Sequence, residues 1–351
     1  MNNLLEVNQL QVAFHTKYGK VHAIRGVSFH VGRKEVIAIV GESGCGKSAT
    51  AQSILGLLPK RNTETSGSIL MEGQDLLSST EKQLKEIRGS KIGMIFQDPM
   101  TSLNPTMTVG DQVAEAFVVH LGISAKEAFQ KSIELLQLVG IPSPEARARQ
   151  YPHQFSGGMR QRVLIAMALA LQPDLLIADE PTTALDVTVQ SQILALLKEL
   201  QIRRDMSILL ITHDLGVVAN IAQRVIVMYA GEIVESGSVE EIFARPQHPY
   251  TWGLLESLPR MDDKKGGKLR SITGTPADLL NPPTGCAFAP RCPYTMEICE
   301  NMKPYEYSLS TDHKASCWLQ DERAPKVTWN YERDASEQKT TISPRPFFKK
   351  P

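Results

Sequence analysis

Residues 36 to 48 read V-I-A-I-V-G-E-S-G-C-G-K-S. The five apolar residues at the start predict a buried strand, and the rest fit the pattern G-x-x-x-x-G-K-[ST]. Glycines at this spacing let backbone N–H groups curl around phosphate oxygens, and a helix that begins here points its positive end at them.

Lys47 is expected to reach the β- and γ-phosphates of a nucleotide, and Ser48 to ligate Mg²⁺. A glycine-rich turn without a ligand is the alternative, which the flanking strand and helix disfavour. The residues expected to bind the nucleotide are Gly41, Ser43, Gly44, Gly46, Lys47, Ser48 and Ala49.

Two acidic residues end a second apolar run. Residues 175 to 178 predict a buried strand, and Asp179, Glu180 and a proline follow it directly. Adjacent carboxylates at the end of a strand suit one residue that organises Mg²⁺ and one that activates water. In isolation, a solvated acidic turn would be the better interpretation. The phosphate loop upstream favours the interpretation that these residues organise Mg²⁺ and activate water.

A serine and two glycines stand at the start of a helical run. Residues 155 to 162 read F-S-G-G-M-R-Q-R, and an apolar stretch follows. This places Ser156, Gly157 and Gly158 at a helix N-terminus, where backbone N–H groups can bind an anion. Taken alone, the same residues could be only a helix cap with a turn.

The order of the predicted elements indicates an α/β protein. Strands alternate with helical stretches, which predicts a mostly parallel core sheet, preceded by short antiparallel strands joined near Gly19. Residues from about 98 to 172 are expected to form a helical insertion. The composition shifts after about residue 255, which divides the chain into a domain with the phosphate loop over residues 1–255, a Cys-containing appendage over 256–320 and a disordered tail over 321–351.

Composition excludes several classes of protein. The 351 residues carry 38 basic and 38 acidic side chains, which disfavours binding of nucleic acid through bulk charge. The longest apolar run, Val163 to Leu171, has nine residues, whereas a helix needs about 20 to cross a bilayer. The N-terminus lacks the basic flank and apolar core of a secretory signal. We therefore expect a cytosolic protein that reaches membranes only through a partner.

The motifs together resemble an ATP-binding subunit of an ABC transporter over residues 4–255. S-G-G-M-R-Q at 156–161 matches the family's signature, L-L-I-A-D-E at 175–180 its Walker B segment, and Ala184-Leu185-Asp186 its D-loop. Gln97 matches the Q-loop glutamine, and His213 the switch histidine that contacts the γ-phosphate. Tyr18 falls where the family stacks an aromatic ring on adenine.

The resemblance implies a head-to-tail dimer with composite sites. Nucleotide would lie between the phosphate loop of one chain and the Ser156–Gly158 signature and Asp186 of the other. Ser48, Gln97 and Asp179 would hold Mg²⁺, and Glu180, His213 and Gln97 would act in hydrolysis of ATP.

Three further segments narrow the resemblance to the oligopeptide and dipeptide importer branch. They read F-Q-D-P-M-T-S-L-N-P at 96–105, D-E-P-T-T-A-L-D-V-T-V-Q at 179–190 and R-P-Q-H-P-Y-T at 245–251. The branch implies a paralogous ATPase subunit as heterodimer partner, two membrane permeases and an extracytoplasmic solute-binding protein. The chain would then lie at the cytoplasmic face of the cell membrane as a peripheral protein. Related importers move solutes such as nickel, and a soluble ABC ATPase that acts on nucleic acid or ribosomes is the alternative function.

Four of the five cysteines cluster late in the chain. Cys286, Cys292, Cys299 and Cys317 are separated by 5, 6 and 17 residues, whereas Cys45 lies at a variable position of the phosphate loop. Four thiolates could hold an iron–sulfur cluster or a zinc ion, and free thiols are the alternative. The resembled branch carries this element, which favours a [4Fe–4S] cluster. We expect the segment to lie far from the phosphate loop.

Overall fold

The computed structural model describes residues 3–183, 185–258 and 272–329. The strands are β1 (Asn3–Thr16), β2 (Gly19–Gly32), β3 (Val36–Val40), β4 (Thr63–Met71), β5 (Gln74–Asp75), β6 (Ile92–Ile95), β7 (Leu175–Asp179), β8 (Ser207–Thr212), β9 (Arg224–Tyr229), β10 (Glu232–Ser238), β11 (Tyr307–Ser308) and β12 (Lys314–Ala315). The α-helices are α1 (Lys47–Ile54), α2 (Glu81–Ile87), α3 (Pro99–Ser102), α4 (Val109–Leu121), α5 (Ala125–Leu138), α6 (Pro144–Arg147), α7 (Gly157–Leu169), α8 (Val187–Arg204), α9 (Leu215–Ile221), α10 (Val239–Ala244), α11 (Pro249–Glu256) and α12 (Glu297–Asn301). Short 3₁₀ turns cover Pro152–Gln154, Ala289–Arg291 and Trp318–Gln320.

The central sheet carries the predicted parallel core. Over the described residues its strand order is β11-β12-β10-β9-β3-β8-β7-β6, and the run from β9 to β6 is parallel throughout. Every residue of β3, β7 and β8 is buried, as expected for strands covered on both faces. The α/β class with a mostly parallel core sheet is thus confirmed.

A second, antiparallel sheet holds the N-terminal strands in the order β2-β1-β4-β5. The prediction of short strands near the N-terminus was wrong, because β1 and β2 are each fourteen residues long. Register shifts such as that between Val7 and Leu10 interrupt the apolar alternation, so one long strand reads as several pieces. The inner face of this sheet shares a core with Ile37 and Ile39 of β3.

The helices of the insertion, α3 to α7, lie within the range predicted for it. Ser124 caps α5 and Ser156 caps α7, each accepting a hydrogen bond from a backbone N–H group of the first turn. Helices α4, α5 and α7 share the larger hydrophobic core with β3, β7 and β8. The N-terminus of α7 is therefore held in place by the packing of the insertion on the main core. The first helix, α1, ends at Ile54, and Gly56 adopts a left-handed conformation just beyond it.

The C-terminal appendage packs directly on the ATPase domain. Strand β12 extends the central sheet by pairing with β10, and Phe288 is buried in the main core beside Tyr229 and Tyr250. Trp329, which lies within the predicted tail, packs against the same core. The rest of that tail, residues 330–351, lies outside the described residues, as does Ala184 of the D-loop. No helix in the described part of the chain is long and apolar enough to span a bilayer.

Candidate functional site

The phosphate loop runs from the end of β3 into α1. Gly41 has φ +154° and Gly46 has φ +105°, values that glycine alone adopts readily. A Cβ atom at Gly41 would lie 2.2 Å from the carbonyl oxygen of Met228, and one at Gly46 would lie 2.5 Å from that of Ala23. The loop is therefore pressed against the neighbouring strands. Ser43 and Gly44 are exposed at its outer side, and Ala49 is half-buried in the first turn of α1.

Lys47 is buried inside the curve of this loop. Its Nζ atom donates hydrogen bonds to the carbonyl oxygens of Gly41, at 2.8 Å, and Glu42, at 3.0 Å. Only 4% of the residue is exposed. The ammonium group is thus held by the loop backbone, which suits it to bind phosphate oxygens as a fixed positive charge.

Ser48 and Asp179 form the candidate magnesium site. The Ser48 hydroxyl donates to Asp179 Oδ1 at 3.0 Å, which joins α1 to the end of β7. Burial raises the pKa of Asp179 above its usual range. A hydroxyl and a carboxylate are the hard oxygen donors that Mg²⁺ takes beside phosphate groups, so these residues fit the ion chemically.

Glu180 is the centre of a second polar cluster. Its Oε2 atom accepts hydrogen bonds from Gln97 Nε2 and Thr183 Oγ1, both at 2.9 Å, and Oε1 lies 3.5 Å from His213 Nδ1. Glu180 has φ +47°, an uncommon conformation for a residue with a side chain. The structure brings together Gln97, Glu180 and His213, which come from three separate segments of the sequence.

Thr183 was not among the residues singled out from sequence. Its hydroxyl fixes the same carboxylate oxygen as Gln97, so it orients Glu180. The available signal was a hydroxyl residue three positions after an acidic one, the spacing at which a turn returns a side chain to its neighbour.

The signature residues lie at the start of α7. Ser156 and Gly157 are exposed, and the Ser156 hydroxyl accepts from the N–H group of Met159 at 3.4 Å. A Cβ atom at Gly158 would lie 2.7 Å from Val189 Cγ1, so α7 and α8 approach closely there. Exposed Asp186 caps α8. Within the described residues, no hydrogen bond joins Ser156 to the phosphate loop of its own chain.

Tyr18 lies in the turn between β1 and β2. It is 77% exposed, and the Lys17 ammonium lies 4.8 Å from the centre of its ring. Such an exposed ring is free to stack on a planar ligand. In the described part of the chain, no hydrogen bond or ring contact links Tyr18 to the phosphate loop.

The four late cysteines line one small cavity together with His248 and Trp318. All four are free thiols, and burial raises the pKa of Cys286 to about 11 and that of Cys292 to about 12. The Nε2 atom of His248 is buried without a hydrogen-bond partner in the described part of the chain. The thiols share a cavity, yet no three His, Cys, Asp or Glu side chains of the described residues are arranged to hold a metal ion. The cavity shows only that the cysteines converge.

The prediction that the cysteine segment lies far from the phosphate loop was wrong. Arg291, next to Cys292, contacts Glu42 of the loop through two hydrogen bonds of 2.6 and 2.9 Å. The appendage folds back because Phe288 packs against Tyr229, at the end of β9. Residues 249 positions apart thereby meet beside the nucleotide site.

Comparison with known proteins places this site in a family. The ABC transporter family model matches residues 24–183, and the model for the C-terminal region of oligopeptide/dipeptide transporters matches residues 234–299. The chain is 57% identical over 325 residues to the dipeptide transport ATP-binding protein DppD of Bacillus subtilis, covering 92% of this chain and 97% of that protein. It is also 57% identical over 333 residues to the oligopeptide transport ATP-binding protein OppD of Bacillus subtilis, covering 93% of this chain and 92% of that protein.

A solved structure agrees with the fold. It is a dimeric ATP-binding cassette in a post-hydrolysis state bound to ADP and Pi, with a TM-score of 0.60 and 27% identity. The match covers 67% of this chain and 98% of that one. With the matched family models and the close relatives, the chain belongs to the ATP-binding subunits of ABC transporters, in the oligopeptide/dipeptide branch.

Proposed function

We propose that this chain hydrolyses ATP to power the import of oligopeptides or dipeptides through a membrane ABC transporter. The observation that carries the proposal is the assembled cluster of Lys47, Ser48, Asp179 and Glu180 at the ends of the parallel strands. The relatives named dipeptide and oligopeptide transport ATP-binding proteins support the class of substrate. They support neither nickel nor the alternative of a soluble ATPase that acts on nucleic acid or ribosomes.

The chemistry is transfer of the γ-phosphoryl group to water. Lys47 and the backbone N–H groups of the phosphate loop would bind the phosphate oxygens and stabilise their charge. Ser48 and Asp179 would hold Mg²⁺, with Gln97 as the further predicted ligand, and the bound ion would neutralise phosphate charge. Glu180, oriented by Gln97 and Thr183, would orient or deprotonate the attacking water. His213 would contact the γ-phosphate.

The exposed signature supports a composite site. Ser156 and Gly157 face solvent at a helix N-terminus, and Asp186 is exposed nearby. We infer that these residues complete the ATP site of a second, paralogous subunit, which in turn completes the site at Lys47. Two integral permeases and an extracytoplasmic solute-binding protein would form the rest of the importer. The chain would then be peripheral, on the cytoplasmic face of the cell membrane.

The purified chain alone is expected to hydrolyse ATP slowly, because each site lacks half of its residues. The rate per mole should rise when the paralogous subunit and the permeases are added, and rise again with a peptide-loaded binding protein. A Ser156→Ala variant should lower this stimulated rate. Ser124→Ala removes the equivalent cap from α5 and is the matched control, since each cap contributes about 1 kcal/mol to stability.

Three outcomes would contradict the proposal. A dilute chain that turns over fully on its own would exclude composite sites. Stimulation by nickel-loaded binding protein but not by peptide-loaded protein would exclude peptide import. Equal losses in Ser156→Ala and Ser124→Ala would show that the signature serine acts only as a helix cap.

We further propose that the four late cysteines hold a [4Fe–4S] cluster, with a tetrahedral zinc ion as the alternative. Support comes from their convergence on one cavity and from the unpartnered Nε2 atom of buried His248 at that cavity. Because His248 Nδ1 accepts from the N–H group of Tyr250, the neutral ring carries its proton on Nε2. An N–H donor beside sulfur is a common feature of iron–sulfur sites.

Anaerobically purified protein is expected to be brown and to contain about four irons per chain. Cys292→Ser should lose the iron and become sensitive to proteolysis near residues 262–285, because ligation is coupled to folding. Cys45→Ser is the matched control and should keep the iron, since Cys45 lies in the phosphate loop. Colourless protein with one zinc would favour the alternative. Metal-free protein with a protease-resistant C-terminus would leave the cysteines as ordinary thiols.

A further inference from the structure

Arg291 forms a partly buried ion pair with Glu42 of the phosphate loop. Its guanidinium donates to both carboxylate oxygens of Glu42, at 2.6 and 2.9 Å, and only 4% of its side chain is exposed. The same guanidinium donates to the carbonyl oxygens of Ile272, at 3.2 Å, and Thr273, at 3.0 Å. Arg291 is thereby fixed by the appendage and extended towards the ATPase domain.

A second contact holds the same loop residue. The Glu42 N–H group donates to the Tyr250 hydroxyl at 2.8 Å. Tyr250 is fully buried, with its ring centre 4.7 Å from that of Tyr229 and 5.3 Å from that of Phe288. Phe288 belongs to the appendage, so both anchors of Glu42 depend on how the appendage packs.

The location of Glu42 makes this pair relevant to ATP. Glu42 is the second residue of the phosphate loop, and its own carbonyl oxygen accepts from Lys47 Nζ. A carboxylate on this loop without a cationic partner would add negative charge to the phosphate-binding region, and like charges repel. The two-point contact with Arg291 neutralises this carboxylate and fixes its direction.

We propose that Arg291 is a positioning residue for ATP binding. It neutralises the carboxylate of Glu42 in the phosphate loop, so the cysteine-containing appendage contributes to ATP affinity. The inference rests on the proposed ATPase function. It does not depend on which group the cysteines hold.

Substitution of Arg291 tests the proposal in the full-length chain. Arg291→Met should raise the KM for ATP about tenfold with a much smaller change in kcat, because the lost contact acts on binding. Arg291→Lys keeps the charge without the two-point geometry and should lie between the parent and Arg291→Met. Lys303→Met removes an ion pair of 2.8 Å between the appendage and Glu232. As the matched control it should leave the KM unchanged.

The double variant separates this role from general damage to the fold. Glu42→Gln combined with Arg291→Met lacks the same guanidinium contacts as the single variant, but its loop carries no unpaired carboxylate. Its KM for ATP should return to within about threefold of the parent value. A double variant as impaired as Arg291→Met would overturn the proposal, as would an Arg291→Met variant with the parent KM. A parent chain that does not bind ATP in this assay would instead contradict the proposed ATPase function.

Discussion

Glu180→Gln is expected to bind ATP like the parent chain while hydrolysing it about 10² to 10⁴ times more slowly, the usual contribution of a general base. The amide keeps the size of the carboxylate and can still hydrogen-bond the attacking water. It cannot accept the proton of that water. Because Lys47 and Ser48 are untouched, nucleotide and Mg²⁺ should bind as before.

The measurement combines equilibrium binding of ATP with release of phosphate by the chain assembled with its partners. Glu199→Gln is the matched control, since Glu199 lies on the exposed surface of α8, where it forms an ion pair with Arg203. The loss should be confined to kcat. If Glu180→Gln hydrolysed ATP at the parent rate, Glu180 would not be the general base. The role proposed for the residues that orient it would then also be wrong.

The substitution also tests the strained backbone at this position. Glu180 has φ +47° and is held by the Gln97 amide and the Thr183 hydroxyl on one carboxylate oxygen. Non-glycine residues in such conformations cost about 1 to 3 kcal/mol and persist where the surrounding structure enforces them. Glutamine preserves the side-chain oxygen that accepts both bonds, so the conformation should survive and the effect should be chemical.

Much of the nucleotide site could be predicted because short motifs determine it locally. The apolar run before Gly41 lies in β3 and the one before Asp179 lies in β7. Both strands are buried and belong to one parallel run in which β8 alone separates them, and parallel strands end at one edge of their sheet. The order of the motifs was therefore enough to predict that Ser48 and Asp179 lie close together. Their hydrogen bond of 3.0 Å agrees with that expectation.

The contacts that sequence did not predict are those without a local pattern. Arg291 and Glu42 are 249 positions apart, and neither belongs to a spacing that indicates a pair. Their meeting depends on Phe288 packing beside Tyr229 and Tyr250, a tertiary contact between elements of different type. The lengths of β1 and β2 escaped prediction for a different reason, since bulges hide a long strand by shifting the alternation of apolar residues.

The arrangement of the four late cysteines could be predicted only in part from the sequence. Their clustering in sequence predicted that they would converge, and all four line one cavity. Spacings of 5, 6 and 17 residues do not specify the distances between sulfur atoms, because the intervening chain includes α12 and the strands β11 and β12. Analysis of bound metal distinguishes an iron–sulfur cluster, a zinc ion and free thiols at this cavity.

Lys47→Ala is expected to weaken ATP binding itself by about 10²-fold, in contrast to Glu180→Gln. Each charge-assisted hydrogen bond from the ammonium to a phosphate oxygen contributes about 1.5 to 3 kcal/mol, and loss of two such bonds corresponds to at least this factor. The variant also leaves the carbonyl oxygens of Gly41 and Glu42 without the donor they share. Thermal unfolding of the nucleotide-free chain should therefore be followed beside the binding measurement.

Lys34→Ala is the matched control for the loss of a lysine. Lys34 is 60% exposed in its side chain and forms a surface pair of 2.9 Å with Asp205, so its removal should change stability by less than about 1 kcal/mol and leave ATP affinity intact. If Lys47→Ala bound ATP as tightly as the parent, the phosphate loop would hold the nucleotide through its backbone alone. If it lost affinity only in proportion to lost stability, the ammonium would serve to fold the loop rather than to bind phosphate. Affinity reduced far beyond the change in stability is the result expected of a phosphate-binding lysine.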